Sequence, residues 1–330
     1  MEWTADRFRM PKKSPGAGPP VVRALAALLL ACSASLTAGA RAAEPTRMTL
    51  GYLPSNAFLA AFVARDQGFF ARRGLDVSFD LLPNGALLRQ ALSRGSVQIG
   101  TMTPPAVLRS DSRGARLRIV AAAAVQDNDH PTAGIVAGQR SGIHSAADFR
   151  GRKVGVPGVD GLNHLVFMKW LQNHQLDPRQ VRFVHTVLPQ MAEALKSGRV
   201  DAVVPVEPFL ESVLQGNSGY LVAKFPGEVA KSYVQAVYVM PGAWAERHGD
   251  QVRAFREALR EGTEWIAGHE NAARRTQMRY LKISESAALA APLPQFATDI
   301  SAADVGFWIG LCSEFGVTRT PLKAADVLVP

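Results

Sequence analysis

Six short polar or glycine-bearing segments each stand between an apolar run and an amphipathic one: Ser55-Asn56, Asn84-Gly85-Ala86, Thr101-Met102-Thr103, Asp160-Gly161-Leu162-Asn163, Pro189-Gln190 and Val206-Glu207-Pro208. They carry hydroxyls, amides and two carboxylates. The N–H groups that follow would stand at helix N-termini, where backbone donors lack intrahelical partners. Such turns hold polar or anionic groups through hydrogen bonds and the positive end of the helix dipole. This is the chemistry of recognition, not of bond making. Ser55, Asn84, Thr101 and Asp160 would each also serve as a helix cap; several turns converging on one crevice would make a receptor. Asp160 and Glu207 oppose the dipoles. Carboxylates in the crevice would repel a pure anion and favour a solute with an amine, a zwitterion or a nitrogen heterocycle.

Reactive constellations are not found. His130, His144, His164, His174, His185, His248 and His269 show neither the i, i+4 pairing nor the carboxylate spacing of a metal site. Only His164, at a helix start beside the proposed crevice, is placed to touch a ligand. Cys312 stands alone in Gly310-Leu311-Cys312-Ser313 and reads as a packing residue. There is no Gly-x-Ser-x-Gly, no phosphate loop and no supportive Ser/His/Asp spacing. No metal, no cofactor and no enzymatic activity are expected.

The elements that would position the six turns alternate. Met48–Leu53, Val77–Leu82, Val97–Gly100 and Leu117–Val125 read as strands, separated by helices at 57–70, 86–93 and 106–110. A second cycle follows, with strands at 154–156, 181–186 and 202–206 around helices at 162–172 and 190–197. After one more apolar strand, Tyr233–Met240, the chain from Trp244 is almost wholly helical. Strands alternating with helices predict a mainly parallel α/β sheet in each of two lobes. The turns at the carboxyl ends of those strands would face a common crevice.

Length agrees with two domains: 330 residues, 47% of them hydrophobic and 20% charged. The net charge of +9 invites a nucleic-acid or membrane-surface reading, but much of it sits at the N-terminus. Arg7, Arg9, Lys12, Lys13 and Arg23 precede the apolar run Ala24–Leu36. The small-residue sites Ala38-Gly39-Ala40 and Ala40-Arg41-Ala42 follow it, the order of a secretory signal peptide over 1–42. Cleavage after Ala42 lowers the net charge to about +5. Leu29-Leu30-Ala31-Cys32 is also similar to a lipoprotein box, so anchoring through Cys32 is the alternative. No other stretch reaches transmembrane length. The expected location is the periplasm, with no nucleic-acid partner.

Seven segments stand in a specific order: Gly51-Tyr52-Leu53-Pro54, Ala64-Arg65-Asp66-Gln67-Gly68-Phe69-Phe70, Gly74-Leu75-Asp76-Val77, Ala91-Leu92-Ser93-Arg94-Gly95, Phe149-Arg150-Gly151-Arg152-Lys153-Val154-Gly155-Val156, Leu195-Lys196-Ser197-Gly198-Arg199-Val200-Asp201-Ala202 and Glu207-Pro208-Phe209. Together they resemble periplasmic solute-binding proteins of the nitrate/sulfonate/taurine and thiamine-pyrimidine type. Their order runs from about Met48 to Val317. The resemblance implies a two-lobe type II periplasmic binding protein that closes on a small-molecule solute and delivers it to an ABC permease and its ATPase. It implies a monomer with a discontinuous first lobe, 44–128 plus 236–330, and a second lobe, 129–235, joined by a hinge of two crossing strands. The hinge strands are expected around Val125–Ile135 and Gln235–Tyr238. Carried over by position, the ligand-binding residues are Ser55, Asn56, Thr101, Met102, Thr103, Asp160, Gly161, Asn163, His164 and Glu207, to which the turn geometry adds Asn84 and Gly85. Two positions depart from the pattern: Gln98 stands where an Asp is usual, and Val206 where an aromatic often precedes Glu-Pro. The alternatives are a periplasmic ligand sensor for a membrane receptor and an enzyme of the pyrimidine-synthase-like branch.

Overall fold

The computed structural model describes residues 44–207, 209–290 and 292–329. The expected signal peptide, both cleavage sites and Cys32 lie outside the described residues. From Pro45 onward the chain is one compact unit that holds two sheets. The first is built from β1 (Thr46–Tyr52), β2 (Leu75–Leu81), β3 (Ile99–Met102), β4 (Leu117–Asp127), β10 (Ser232–Pro241) and β11 (Gln295–Phe296), in the order β11-β4-β10-β3-β1-β2. The second contains β5 (Ile135–Gly138), β6 (Lys153–Val156), β7 (Arg182–His185), β8 (Ala202–Val203) and β9 (Gly219–Ala223), in the order β7-β6-β8-β5-β9.

Local signals explain most element boundaries. Asn84 Oδ1 accepts from the N–H groups of Ala86 and Leu87, both at 3.0 Å, and so starts helix Gly85–Arg94. Gly95, at φ 72°, closes it in the left-handed region where glycine carries no steric penalty. Ser301 and Asp304 form a capping box at the head of helix Ala302–Glu314. Gln98 bonds at both ends: its Oε1 accepts from Thr49 N at 2.8 Å and its Nε2 donates to Gly95 O at 2.7 Å. The departure at this position is therefore a packing device that fastens the approach to β3 onto β1.

Two expectations need correction. Both sheets are mixed, not mainly parallel. β1 is parallel to β2 and β3, but β10 runs antiparallel to β3 and β4, and β4 antiparallel to β11. In the second sheet β6 is parallel to β7 and β8, while β5 opposes β8 and β9. The reason is connectivity. β4 carries the chain out of the first sheet, and β10 must bring it back alongside β4, so the returning strand runs the other way. Periodicity marks a strand without marking its direction. The second correction is one of register: β3 runs over Ile99–Met102, so Thr101 and Met102 are buried strand residues and not an exposed turn.

The chain passes between the two sheets at 128–134 and again at 224–231; the first passage falls within the expected hinge segment Val125–Ile135, whereas Gln235–Tyr238 lies inside β10. A continuous apolar core joins residues of the first sheet such as Ile119 to Phe167 and Cys312. Helix Ala302–Glu314 extends this core toward the second lobe. Trp308 Nε1 donates to Val234 O at 2.8 Å, and Glu314 meets Lys169 Nζ at 2.8 Å. Cys312 is buried, as expected of a packing residue, and burial pushes its thiol up to about 12. Among the described residues no helix is long and apolar enough to cross a membrane.

Candidate functional site

The carboxyl ends of β1, β3, β6 and β8 all approach one cavity of about 190 Å³ between the sheets, room for about six waters or one small ring. The first lobe contributes Leu53, Ser55, Asn56, Phe58 and Thr103. The second contributes Leu162, Asn163, Val206 and Glu207, while Thr132 enters from the first crossover and Gln235 from β10. Crevices at such strand ends are the usual ligand position in open α/β sheets.

Seven of the twelve expected contact residues line this cavity: Ser55, Asn56, Thr101, Met102, Thr103, Asn163 and Glu207. Their chemistry differs. Ser55 Oγ accepts from Ala57 N at 3.2 Å, which leaves its own proton free to donate. Asn56 turns its amide aside, with Nδ2 donating to Pro292 O at 2.9 Å. Thr101 is fully buried and its Oγ1 accepts from Leu53 N at 3.0 Å, so it secures the exit of β1. Thr103 and Asn163, at two helix starts, have no side-chain partner among the described residues and are free to meet a solute.

Five expected residues do not line it. Asn84 and Gly85 belong to the cap of their own helix. Asp160 sits at φ 59°, in the left-handed region uncommon for a non-glycine residue. Its N–H donates to His164 Nδ1 at 2.9 Å, and the helix behind it is capped by Gly161 without any side-chain bond. Asp160 therefore shapes a turn and does not cap. That turn faces the first lobe: Arg109 Nη1 donates to Val159 O at 3.3 Å. His164 is buried against Phe183, their ring centroids 4.1 Å apart, and desolvation lowers its pKa to about 4. Its Nε2 has no partner among the described residues. The imidazole is neutral at pH 7 and holds the 158–161 turn.

The sequence reading missed Thr132 and Gln235 as lining residues. A buried network surrounds them. Gln126 Nε2 donates to Asp127 O at 2.6 Å and His130 O at 3.0 Å, while its Oε1 accepts from Thr132 N at 2.9 Å and Thr132 Oγ1 at 2.6 Å. Thr132 O in turn accepts from Glu207 N at 2.9 Å. Gln235 is the extra residue where the register between β10 and β4 slips from Val234↔Val125 to Ala236↔Ala124, and such bulges re-aim side chains. The available signal was a lone Gln inside the apolar run Tyr233–Tyr238.

Glu207 is half-buried. Its Oε2 accepts from Glu211 N at 3.2 Å, and no Lys or Arg pairs with it among the described residues. Burial, chiefly, and the charge of Glu211 raise its pKa, against the N–H of Glu211 and the charge of Lys224. Of the aromatic residues near the strand ends, Phe58 lines the cavity, while Tyr52, Tyr233 and Tyr238 are packed into the core. Among the described residues no group of three or more His, Cys, Asp or Glu side chains could hold a metal ion.

A family model described as NMT1/THI5 like matches residues 55–273. The formylaminopyrimidine-binding protein of Halalkalibacterium halodurans is 26% identical over 245 residues, which cover 73% of this chain and 72% of that protein. The nitrate/nitrite binding protein NrtA of a Nostoc species is 23% identical, the match covering 71% of this chain and 57% of that longer protein. The periplasmic aliphatic sulphonate binding protein SsuA from Escherichia coli superposes with a TM-score of 0.73 at 16% identity, over 86% of this chain and 97% of its own. That last likeness is one of fold. The three relatives carry names for three different solute chemistries.

Proposed function

Because this chain belongs to the NMT1/THI5-like family, we propose that it is the extracytoplasmic solute-binding component of an ABC importer, closing two lobes on a small polar solute. The observation that carries the reading is the cavity itself. Residues from both lobes and from both hinge strands meet around one small volume with uncommitted hydroxyl and amide groups. A solute that bonds to both walls at once stabilises the closed form over the open one, and this differential affinity is what drives closure.

In this reading the moving bodies are 44–128 plus 236–330 and 129–235. Ser55, Thr103, Thr132, Asn163, Glu207 and Gln235 contact the solute, and Asn56, Thr101 and Met102 shape its walls. Asp160, Gly161 and His164 hold the turn before Asn163, and Asn84 and Gly85 do not take part. The protein is exported by its N-terminal segment and passes the solute to a membrane permease powered by an ATPase.

Native mass spectrometry tests the binding role. The purified chain is incubated with a small-molecule extract of bacterial cells, beside a Thr103→Trp variant whose indole fills the cavity. A small-molecule adduct on the unaltered chain that disappears in the variant supports the reading. The same adduct on both, or on neither, overturns it.

A further inference from the structure

The first lobe grips one helix of the second at two points outside the cavity. Arg109, on helix Pro104–Asp111, donates from Nη1 to Val159 O at 3.3 Å. Glu314, the last residue of helix Ala302–Glu314, accepts from Lys169 Nζ through both carboxylate oxygens, at 2.8 and 3.1 Å. Val159 and Lys169 stand on either side of Asn163, where helix Leu162–Asn173 meets the cavity. None of the four gripping residues lines that cavity, so neither contact needs a solute. Arg109 forms no ion pair among the described residues, and the nearby Arg89 and Arg113 are cations as well. The acceptor that its charge meets is the carbonyl of the other lobe.

Both grips act on a rigid body. The Val159 turn is fastened to the helix by Asp160 N, which donates to His164 Nδ1 at 2.9 Å, and is closed by Gly161 N donating to Gly158 O at 3.1 Å. The helix is packed into its own lobe through the buried Leu165, Val166, Phe167 and Leu171, and Trp170 Nε1 donates to Glu228 Oε2 at 2.9 Å. A pull on Val159 O or on Lys169 therefore moves the second lobe together with Asn163, which lies about 9 Å along the helix axis from Lys169.

We infer that Arg109 and Glu314 form a clasp on helix Leu162–Asn173 and the turn before it, holding the lobes in the arrangement described here before any solute arrives. The inference rests on the proposed two-lobe binding role and adds a second source of closure to the solute's own contacts. Contacts made in only one of two arrangements shift the equilibrium by their difference in strength. A ligand's apparent affinity is reduced by the fraction of protein in the competent arrangement, so a clasp that raises this fraction tightens binding without touching the solute. The side chains of Lys169 and Glu314 are each about one-third exposed. Such a pair is a small bias, which tilts the lobes toward closure and still lets them part.

The test is the distribution of distances between two spin labels on the extensively dialysed chain without added solute, measured by pulsed electron paramagnetic resonance. The labels go on Leu87→Cys and Val187→Cys, both exposed and one on each lobe, in a chain carrying Cys32→Ser; Cys312 is buried and stays unlabelled. The parent is expected to populate the distance of this structure beside a second, more open one. Lys169→Met and Arg109→Met are each expected to lower the ratio of the first population to the second by about two- to fivefold. The charge reversal Lys169→Glu with Glu314→Lys is expected to restore the parent ratio, which a mere loss of packing would not do. The residues changed are partly exposed, so the fold is preserved in each variant. A parent without the described distance, an unchanged ratio in either single variant, or a charge reversal that fails to restore it overturns the inference. The adduct experiment above stands apart from these outcomes, so the clasp can fail while the binding role holds.

Discussion

Thr132 Oγ1 donates to Gln126 Oε1 at 2.6 Å across a six-residue loop, and this one contact organises the first hinge crossover. All four hydrogen-bonding positions of the buried Gln126 amide are used within 127–132, so the loop is tied to a single side chain. Gln126→Leu leaves two carbonyls and the N–H of Thr132 without partners. It is expected to lower stability by about 1–3 kcal/mol, read as a lower urea midpoint with an unchanged slope. An unchanged midpoint would show that the network carries no stability.

Gln277 presents the opposite case. It is fully buried on helix Glu270–Leu281, and among the described residues neither its Nε2 nor its Oε1 has a partner. A buried amide without hydrogen bonds is unfavourable by about 1–3 kcal/mol on mutational scales. Gln277→Met keeps length and flexibility while removing the polar atoms, and should raise the unfolding temperature. A lower unfolding temperature would refute this assignment.

Helix–helix contact sets the third expectation. A Cβ on Gly262 would lie 2.5 Å from the carbonyl oxygen of Ala60, a backbone atom that cannot swing aside. Helix Gly249–Gly268 would have to move off helix Leu59–Asp66. Gly262→Val should cost about 1–3 kcal/mol, the usual range for overpacking, measured by chemical denaturation. Gly268→Val meets open space and serves as the matched control.

His164 gives a pH dependence with a definite sign. Its pKa falls from 6.5 to about 4 on folding, because burial disfavours the imidazolium. Between these values the unfolded chain binds more protons than the folded one. The stabilising term is therefore complete above pH 6.5 and is lost progressively as pH falls toward 4, amounting to roughly 3 kcal/mol. His164→Gln should flatten this part of the stability curve relative to the unaltered chain. An equal slope in both proteins would assign the pH dependence to other groups.

Much of the architecture was legible along the chain because it depends on local pattern. Asn84 before an amphipathic run and Gly95 after it mark a helix, and the structure places caps at both. The alternation of strand and helix announced an α/β fold of two lobes. Strand direction was not legible. β10 reads like any other apolar strand until its pairing with β4 shows that it runs back from the other lobe. The third strand was read two residues early, 97–100 against Ile99–Met102, which made an exposed turn of the fully buried strand residue Thr101.

The cavity divides in the same way. The sequence by itself determined the turns after β1, β3, β6 and β8, since capping and turn chemistry are decided by neighbours within a few residues. Only the tertiary structure decided which turns meet. It drew Ser55, Thr103, Asn163 and Glu207 together and left Asn84 on the rim of its own helix. It set Asp160 into a turn held by His164 and brought Thr132 and Gln235 into the wall from segments expected as hinge strands and not as ligand contacts. The physical reason is separation along the chain. Thr132 and Gln235 are 103 residues apart, so their hydrogen-bond contact arises only when the first crossover and β10 are folded side by side.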